Sequence, residues 1–201
     1  MNYLVHFLLA GDDEELRLGD LLGDFVKGRV ERFDHPGVTG RMRTGIQLHR
    51  TIDTFSDHHP AVLRSKRILA PDYGRLSSVI VDVFYDHVLA RRWGEHDPRP
   101  LPEFSQHVYR TLRGNLHRLP AAVHPLIHAM SRGDWLRAYA TQGGIERALQ
   151  GMAQRRPVAA GIGTAGHWLT EHFERFSADF DEFLPDLRAR CHAFLAERDD
   201  G

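Results

Sequence analysis

Three short stretches of this sequence place carboxylates and imidazoles at spacings that suit a divalent cation. Asp20 and Asp24 stand four residues apart in the segment Leu18-Gly19-Asp20-Leu21-Leu22-Gly23-Asp24-Phe25-Val26. Asp24 lies among Leu21, Leu22, Phe25 and Val26, where an ionised carboxylate is costly unless it is paired or metal-bound. The alternative is an ordinary exposed aspartate. His49 and Asp53 are again four apart, beside an apolar face of Leu48, Ile52 and Phe55. That pair offers one imidazole and one hard oxygen to a cation, or else a surface contact worth about 0.2–0.5 kcal/mol. Asp82, Asp86 and His87 interrupt the apolar run of Val79, Ile80, Val83, Phe84 and Val88. The two aspartates fall at the edge of that helical face and His87 in its middle. Ionisable groups that contradict a strong apolar pattern tend to mark sites; the alternative is a satisfied core histidine with capping or ion-paired aspartates.

Asp24, His49, Asp53, Asp86 and His87 together make a mixed ligand set drawn from three helices. Cys191 is the only cysteine, which disfavours a structural zinc site. The set favours Mn²⁺, Mg²⁺ or Fe²⁺, and a bound water activated as nucleophile. A phosphoester is the most natural target of such chemistry. Arginines cluster nearby and later in the chain, at Arg41, Arg43 and Arg50, at Arg91-Arg92 and at Arg155-Arg156. They read as solvated faces, as phosphate ligands or as a dock for an acidic protein. Gly161-Ile162-Gly163-Thr164-Ala165-Gly166 spells G-x-G-x-x-G, but no strand precedes it, so a flexible loop is expected there. The other histidines, of 14 in all, are scattered.

The elements that must position these groups are helical almost throughout. Leu169, Phe173, Phe176, Phe180, Phe183, Leu187, Cys191 and Phe194 recur at steps of four and three, one stripe of an amphipathic helix. Pro185 inside it should kink or split that helix near Leu184. Further helices are expected over roughly 14–28, 42–56, 60–70, 76–93, 101–119, 121–130 and 134–151, with proline and glycine between them. No set of alternating strands with hairpin turns is present in the pattern. The chain therefore reads as a single all-α domain over 1–201, a helical bundle.

Composition narrows the function further. Lys and Arg number 26 against 27 Asp and Glu, which argues against binding nucleic acid through bulk positive charge. Hydrophobic residues make up 42%, enough to bury a core. A lone cysteine excludes an intramolecular disulfide and suits a reducing compartment. The apolar start, Met1 to Ala10, has no preceding Lys or Arg and ends at Gly11-Asp12-Asp13, too soon for a membrane span. A soluble, cytoplasmic protein is expected, with no membrane or nucleic-acid partner. Apolar residues exposed on the C-terminal helix would suit a homo-oligomer.

Several motifs occur in one order from residue 1 past 157: Met1-Asn2-x-Leu4-x-His6, Asp24-Phe25-Val26 followed by Gly28, His49-Arg50-x-x-Asp53, Asp82-x-x-x-Asp86-His87 and Gly151-Met152-Ala153-x-Arg155-Arg156-Pro157. In these the chain resembles the acyl carrier protein phosphodiesterases. The resemblance implies an all-helical fold related to the HD phosphohydrolases and dependence on Mn²⁺. It also implies hydrolysis of 4′-phosphopantetheine from the serine of holo-acyl carrier protein, which gives the apo form. The usual HD pattern has adjacent His-Asp, whereas here the doublet is Asp86-His87 and the other pair is spaced by four. On this reading Asp24, His49, Asp53, Asp86 and His87 surround the metal, and Arg50 stabilises charge on the phosphoryl oxygens. His6 orients a ligand, transfers a proton or is simply structural, and Arg41, Arg43, Arg155 and Arg156 dock the acidic carrier. Two rival readings are a hydrolase of nucleotides or other small phosphoesters, and a non-catalytic helical adaptor for an acidic partner.

Overall fold

The computed structural model describes residues 1–155 and 157–199, and every regular element among them is helical. The helices are α1 (Tyr3–Leu9), α2 (Glu14–Leu22), α3 (Gly40–His58), α4 (Pro60–Tyr73), α5 (Ser77–Arg91), α6 (Leu101–Gly114), α7 (His124–Gly133), α8 (Trp135–Ala138), α9 (Gln142–Arg155), α10 (Gly166–Glu171) and α11 (Phe173–Asp199). Local chemistry sets several of their ends. Asp13 caps α2 by accepting from the Leu16 amide at 2.9 Å, and Glu14 and Glu15 add negative charge to its first turn. Thr39 caps α3 through the Met42 amide at 3.2 Å. Pro60 opens α4, where a missing N–H costs nothing.

Helix α5 is the central post. Residues 83–90 are buried without a break, as expected of a helix apolar on all sides. Helices α1, α4, α9 and α11 pack around it, and α11 also lies on α3 and α4. A polar seam ties three of these together. The Ser65 hydroxyl on α4 donates to Asp179 on α11 at 2.8 Å and lies 3.0 Å from the Tyr85 hydroxyl on α5.

The closest helix pair is α2 with α3, and glycine makes that approach possible. A methyl group on Gly45 would stand 2.8 Å from the Gly19 α-carbon, and one on Gly19 would stand 2.9 Å from the Gly45 α-carbon. Each would also collide with backbone carbonyl oxygen of the facing helix. Here the backbones touch directly, with no side chain between them.

Several expected boundaries differ. Helix α2 ends at Leu22 rather than near 28, because the Phe25 and Val26 amides both turn back onto the Leu22 carbonyl. The segment 121–123 is a 3₁₀ turn ahead of α7, and Asp134, in the left-handed region at φ 43°, separates α7 from α8. The glycine-rich stretch after α9 is a 3₁₀ helix, Pro157–Thr164, rather than a loop, because Ile162 and Ala165 are anchored in the core. Helix α11 runs through Pro185 unsplit. Phe180, Phe183, Leu184 and Leu187 are all buried, so packing holds both sides of the proline in one helix. No helix among the described residues is long and apolar enough to cross a membrane.

The glycine contact yields a direct test. Alanine is a better helix former than glycine by about 1 kcal/mol, so Gly45→Ala would stabilise a free helix. Overpacking against a backbone costs about 1–3 kcal/mol and outweighs that gain. Urea unfolding should give a lower midpoint for Gly45→Ala, and an unchanged or raised midpoint would refute the close approach.

Candidate metal centre

The α2–α3 contact carries Asp20, the residue after Gly19, and His49, one turn beyond Gly45, to the same point. Gly23, at the end of α2, leaves room for the imidazole: a methyl group there would stand 2.6 Å from the His49 β-carbon. From the opposite side α1 brings in His6. Its Nδ1 lies 2.8 Å from Asp20 Oδ1, and its ring stacks on that of His49 with centroids 4.3 Å apart. His6, Asp20 and His49 are all buried, and one ligand atom of each lies within 4.8 Å of the others.

Asp53 and Asp24 form the open side. His49 Nε2 is 3.2 Å from Asp53 Oδ2 and 3.8 Å from Asp24 Oδ1, and both carboxylates are close to half exposed. Asp53 also faces the Met1 amino nitrogen at 2.9 Å. The result is a buried imidazole–carboxylate–imidazole cluster with two half-exposed carboxylates on its solvent side.

Charge explains why the arrangement holds without collapse. Burial works against a positive His49, but the Asp20 and Asp53 carboxylates outweigh it and raise the imidazole to about 10. His6 is raised too, where the Asp20 charge overcomes the effect of burial and of the neighbouring His49. Burial alone would raise Asp20 and Asp53; the two imidazoles keep both below the usual carboxylate range. Two like-charged rings stacked at this distance repel each other, and only the surrounding carboxylates offset that.

Two buried nitrogens are left over. His6 Nε2 and His49 Nδ1 have no hydrogen-bond partner, although the nearest carboxylate oxygens stand 3.3 Å and 3.6 Å away. Buried donors of this kind are rare and call for an explanation. A divalent cation would supply one, with His6, Asp20 and His49 as the residues that could hold it. The donor set, imidazole with carboxylate and no thiolate, suits such a cation.

The expected ligands are not all brought together. His49, Asp53 and Asp24 come together with His6. Asp86 does not present a free oxygen: Oδ2 accepts from the Leu4 amide at 2.8 Å and Oδ1 from the Val5 amide at 3.0 Å. It caps α1 and so fixes the helix that carries His6. Burial pushes its carboxyl up to about 7 despite those two bonds. His87 turns away altogether. Its Nδ1 donates to the Tyr139 carbonyl at 2.7 Å and its ring sits edge-on to Phe173. Because α5 is buried on every side, ionisable groups on it find separate partners instead of converging on one face. Asp20, which the sequence reading paired with Asp24 but left out of the ligand set, takes the central place between His6 and His49.

The arginines are largely engaged within the fold. Arg50 donates to the Gly28 and Val26 carbonyls at 2.7 Å and 2.8 Å, clamping the turn after α2. Arg41 pairs with Asp13 at 2.8 Å, and Arg43 reaches the Phe33 and Val38 carbonyls at 3.3 Å and 3.4 Å. Arg156 and the side chain of Arg155 lie outside the described residues.

The titrations predict how the metal-free chain responds to pH. A raised His49 stabilises the fold fully below 6.5, and that contribution is lost as pH rises through about 10. The raised Asp86 contributes below 3.8 and has lost its contribution by about 7. Thermal melts in chelator should therefore fall in midpoint between pH 7 and 10, with a shallower fall in His49→Ala. A flat profile would contradict the ionised cluster.

Comparison with known proteins places this chain in a family. A family profile described as acyl carrier protein phosphodiesterase matches residues 1–187. The chain is 34% identical over 188 residues to the acyl carrier protein phosphodiesterase of Yersinia pestis, covering 93% of this chain and 95% of that one. It is 31% identical over 192 residues to the proteins of that name from Photorhabdus laumondii and Escherichia coli, covering 95% of this chain in each case and 95% and 97% of theirs. No solved structure matches the chain. By the family profile and by these full-length relatives, the chain belongs to the acyl carrier protein phosphodiesterase family.

Proposed function

We propose that the chain hydrolyses the phosphodiester linking 4′-phosphopantetheine to the serine of holo-acyl carrier protein, releasing 4′-phosphopantetheine and apo-carrier protein. The observation that carries this reading is the His6–Asp20–His49 cluster with its two orphaned nitrogens, in a chain of this family. His6, Asp20 and His49 would hold a divalent cation, with Asp53 and Asp24 on its open side; Mn²⁺ is our assignment, with Mg²⁺ or Fe²⁺ as alternatives. Such an ion supplies Lewis-acid stabilisation of phosphoryl charge and lowers the pKa of water.

The remaining roles belong to the protein. The facing imidazoles hold Asp53 below the usual carboxylate range, so it stays ionised beside them and orients the cluster. Asp24, half exposed and facing His49, accepts the proton of the attacking water at Oδ1. The water oxygen bonds to phosphorus, the phosphorus–serine oxygen bond breaks, and the serine oxygen takes up the proton that Asp24 received, which returns Asp24 to its carboxylate form. Arg50, pinned by the Gly28 and Val26 carbonyls, adds fixed positive charge beside the phosphoryl oxygens without having to be ordered during the reaction. Arg41 and Arg43, both partly exposed, favour approach of an acidic carrier. Imidazole and carboxylate ligands presented by helices are the basis for relating the fold to the HD phosphohydrolases, and a carrier-protein substrate suits a cytoplasmic enzyme.

Incubation with holo-acyl carrier protein and Mn²⁺, followed by intact-mass analysis, should show the carrier losing its prosthetic group. Asp20→Asn and His49→Ala should each slow this by about 100-fold or more, since disturbing even the outer partners of a metal ligand costs about 10–100-fold. His87→Gln should stay within a few-fold of the parent. An unchanged carrier mass with the parent protein would overturn the reading.

A further inference from the structure

The turn that carries Asp24 to the metal centre also builds a surface beside it. Asp24 Oδ1 lies 3.8 Å from His49 Nε2, and Phe25 to Arg29 follow without a break. Val26 and Val30 are buried and anchor this segment, while Phe25, Lys27, Gly28 and Arg29 are exposed. Arg50, the residue after His49, pins it by donating to the Val26 and Gly28 carbonyls at 2.8 Å and 2.7 Å. Gly28 has φ 75°, in the left-handed region that favours glycine. A methyl group there would meet nothing within 4 Å, so the tip of the turn faces open space.

Phe25 and Leu63 are the large apolar side chains left exposed among the described residues. One surface aromatic is ordinary; the company of Phe25 is not. Lys27, Arg29 and Arg50 bring three positive charges to one turn, and none of them meets a carboxylate among the described residues. Lys27 Nζ donates only to the Asp24 carbonyl, at 3.0 Å, Arg50 only to the two carbonyls it pins, and Arg29 to no group. Glu31, the next carboxylate along the chain, accepts from Gln47 at 3.3 Å. An aromatic among unpaired cations on a fixed turn has the make-up of a protein–protein contact, where aromatics and arginine are enriched and opposite charges face each other. A lipid surface is a poorer match. One aromatic and a few cations on a short turn fall short of the amphipathic helix or double anchor that stable membrane binding takes, and the Asp24 carboxylate would be pressed against anionic headgroups.

We infer that the turn over residues 24–29 is the docking point of an acidic protein, with Phe25 as apolar anchor and Lys27 and Arg29 as the cations that meet the partner's carboxylates. For the partner's identity, the acyl carrier protein, the inference rests on the function proposed above; it adds the side from which the carrier approaches. A carrier held on Phe25 stands one residue from Asp24, so docking itself brings the modified serine to the solvent side of the cluster.

Calorimetric titration of the full chain with apo-acyl carrier protein in Mn²⁺ tests this, because the apo form has no phosphodiester and reports the polypeptide contact alone. Phe25→Ala and Arg29→Glu should each weaken binding by at least about tenfold, the scale of losing one interface anchor, with melting midpoints unchanged. Arg29→Lys should stay within a few-fold of the parent, and added salt should weaken the parent more than Arg29→Glu. Sedimentation with phosphatidylglycerol vesicles is the second arm, and the parent should remain in solution. Equal carrier binding by the parent and both variants, no binding by the parent, or vesicle binding that the two variants lose would overturn the assignment. The titration is independent of turnover. A parent that binds the carrier through this turn but releases no prosthetic group from the holo form would fail the functional reading and not this one, and turnover with carrier binding intact in both variants would fail this one alone.

Discussion

The direct contact of two helix backbones, Gly19 on α2 against Gly45 on α3, is the constraint on which this molecule turns. The buried imidazole–carboxylate cluster is assembled around it. Asp20 follows Gly19, His49 lies four residues beyond Gly45, and Gly23 clears the space into which the His49 ring swings. Two helices separated by ordinary side chains run about 8–10 Å apart. At that spacing a short aspartate and an imidazole would not share one buried site with a third residue from α1. The turn after α2 is then closed by Arg50, so the helix that carries His49 also fastens the loop beyond Asp24.

The same close approach creates an electrostatic problem that the fold answers locally. Burying isolated charges is costly unless they are paired. Asp20 sits between two imidazoles, Asp53 faces both, and the rings stack on each other. The cluster is stable as an ionised set, yet two of its nitrogens lack hydrogen-bond partners. A site that holds protons in place of a metal has this character, and metal uptake would displace them. Asp86 works one step behind. By taking the first amides of α1 it sets the direction of His6, which no element packed on α2 or α3 alone would do.

Much of this was legible in the sequence. His49 and Asp53 are true neighbours one turn apart on α3, Asp24 faces His49 from the turn just past the end of α2, and all-helical periodicity is what the described chain adopts. Two things were not legible, for physical reasons. On α5 the pattern of Asp82, Asp86 and His87 suggested one shared face, but the three diverge: Asp86 takes the Leu4 and Val5 amides, His87 the Tyr139 carbonyl, and Asp82 faces the Met1 amino group that Asp53 also meets. Asp20 was visible but could not be ranked above Asp24, because the sequence does not say that Gly19 and Gly45 meet. Pro185 carried a local rule against helix continuation, and the buried phenylalanines on both sides of it prevailed.

The central claim is that His6, Asp20 and His49 form one cation site at the α2–α3 contact. Direct titration of Mn²⁺ into the metal-free chain, followed by loss of the free-ion electron paramagnetic resonance signal, tests it without any substrate. The parent protein and His87→Gln should bind Mn²⁺ with similar affinity, while Asp20→Asn and His6→Ala should bind at least about tenfold more weakly. Equal binding by all four proteins, or loss of binding only in His87→Gln, would contradict it.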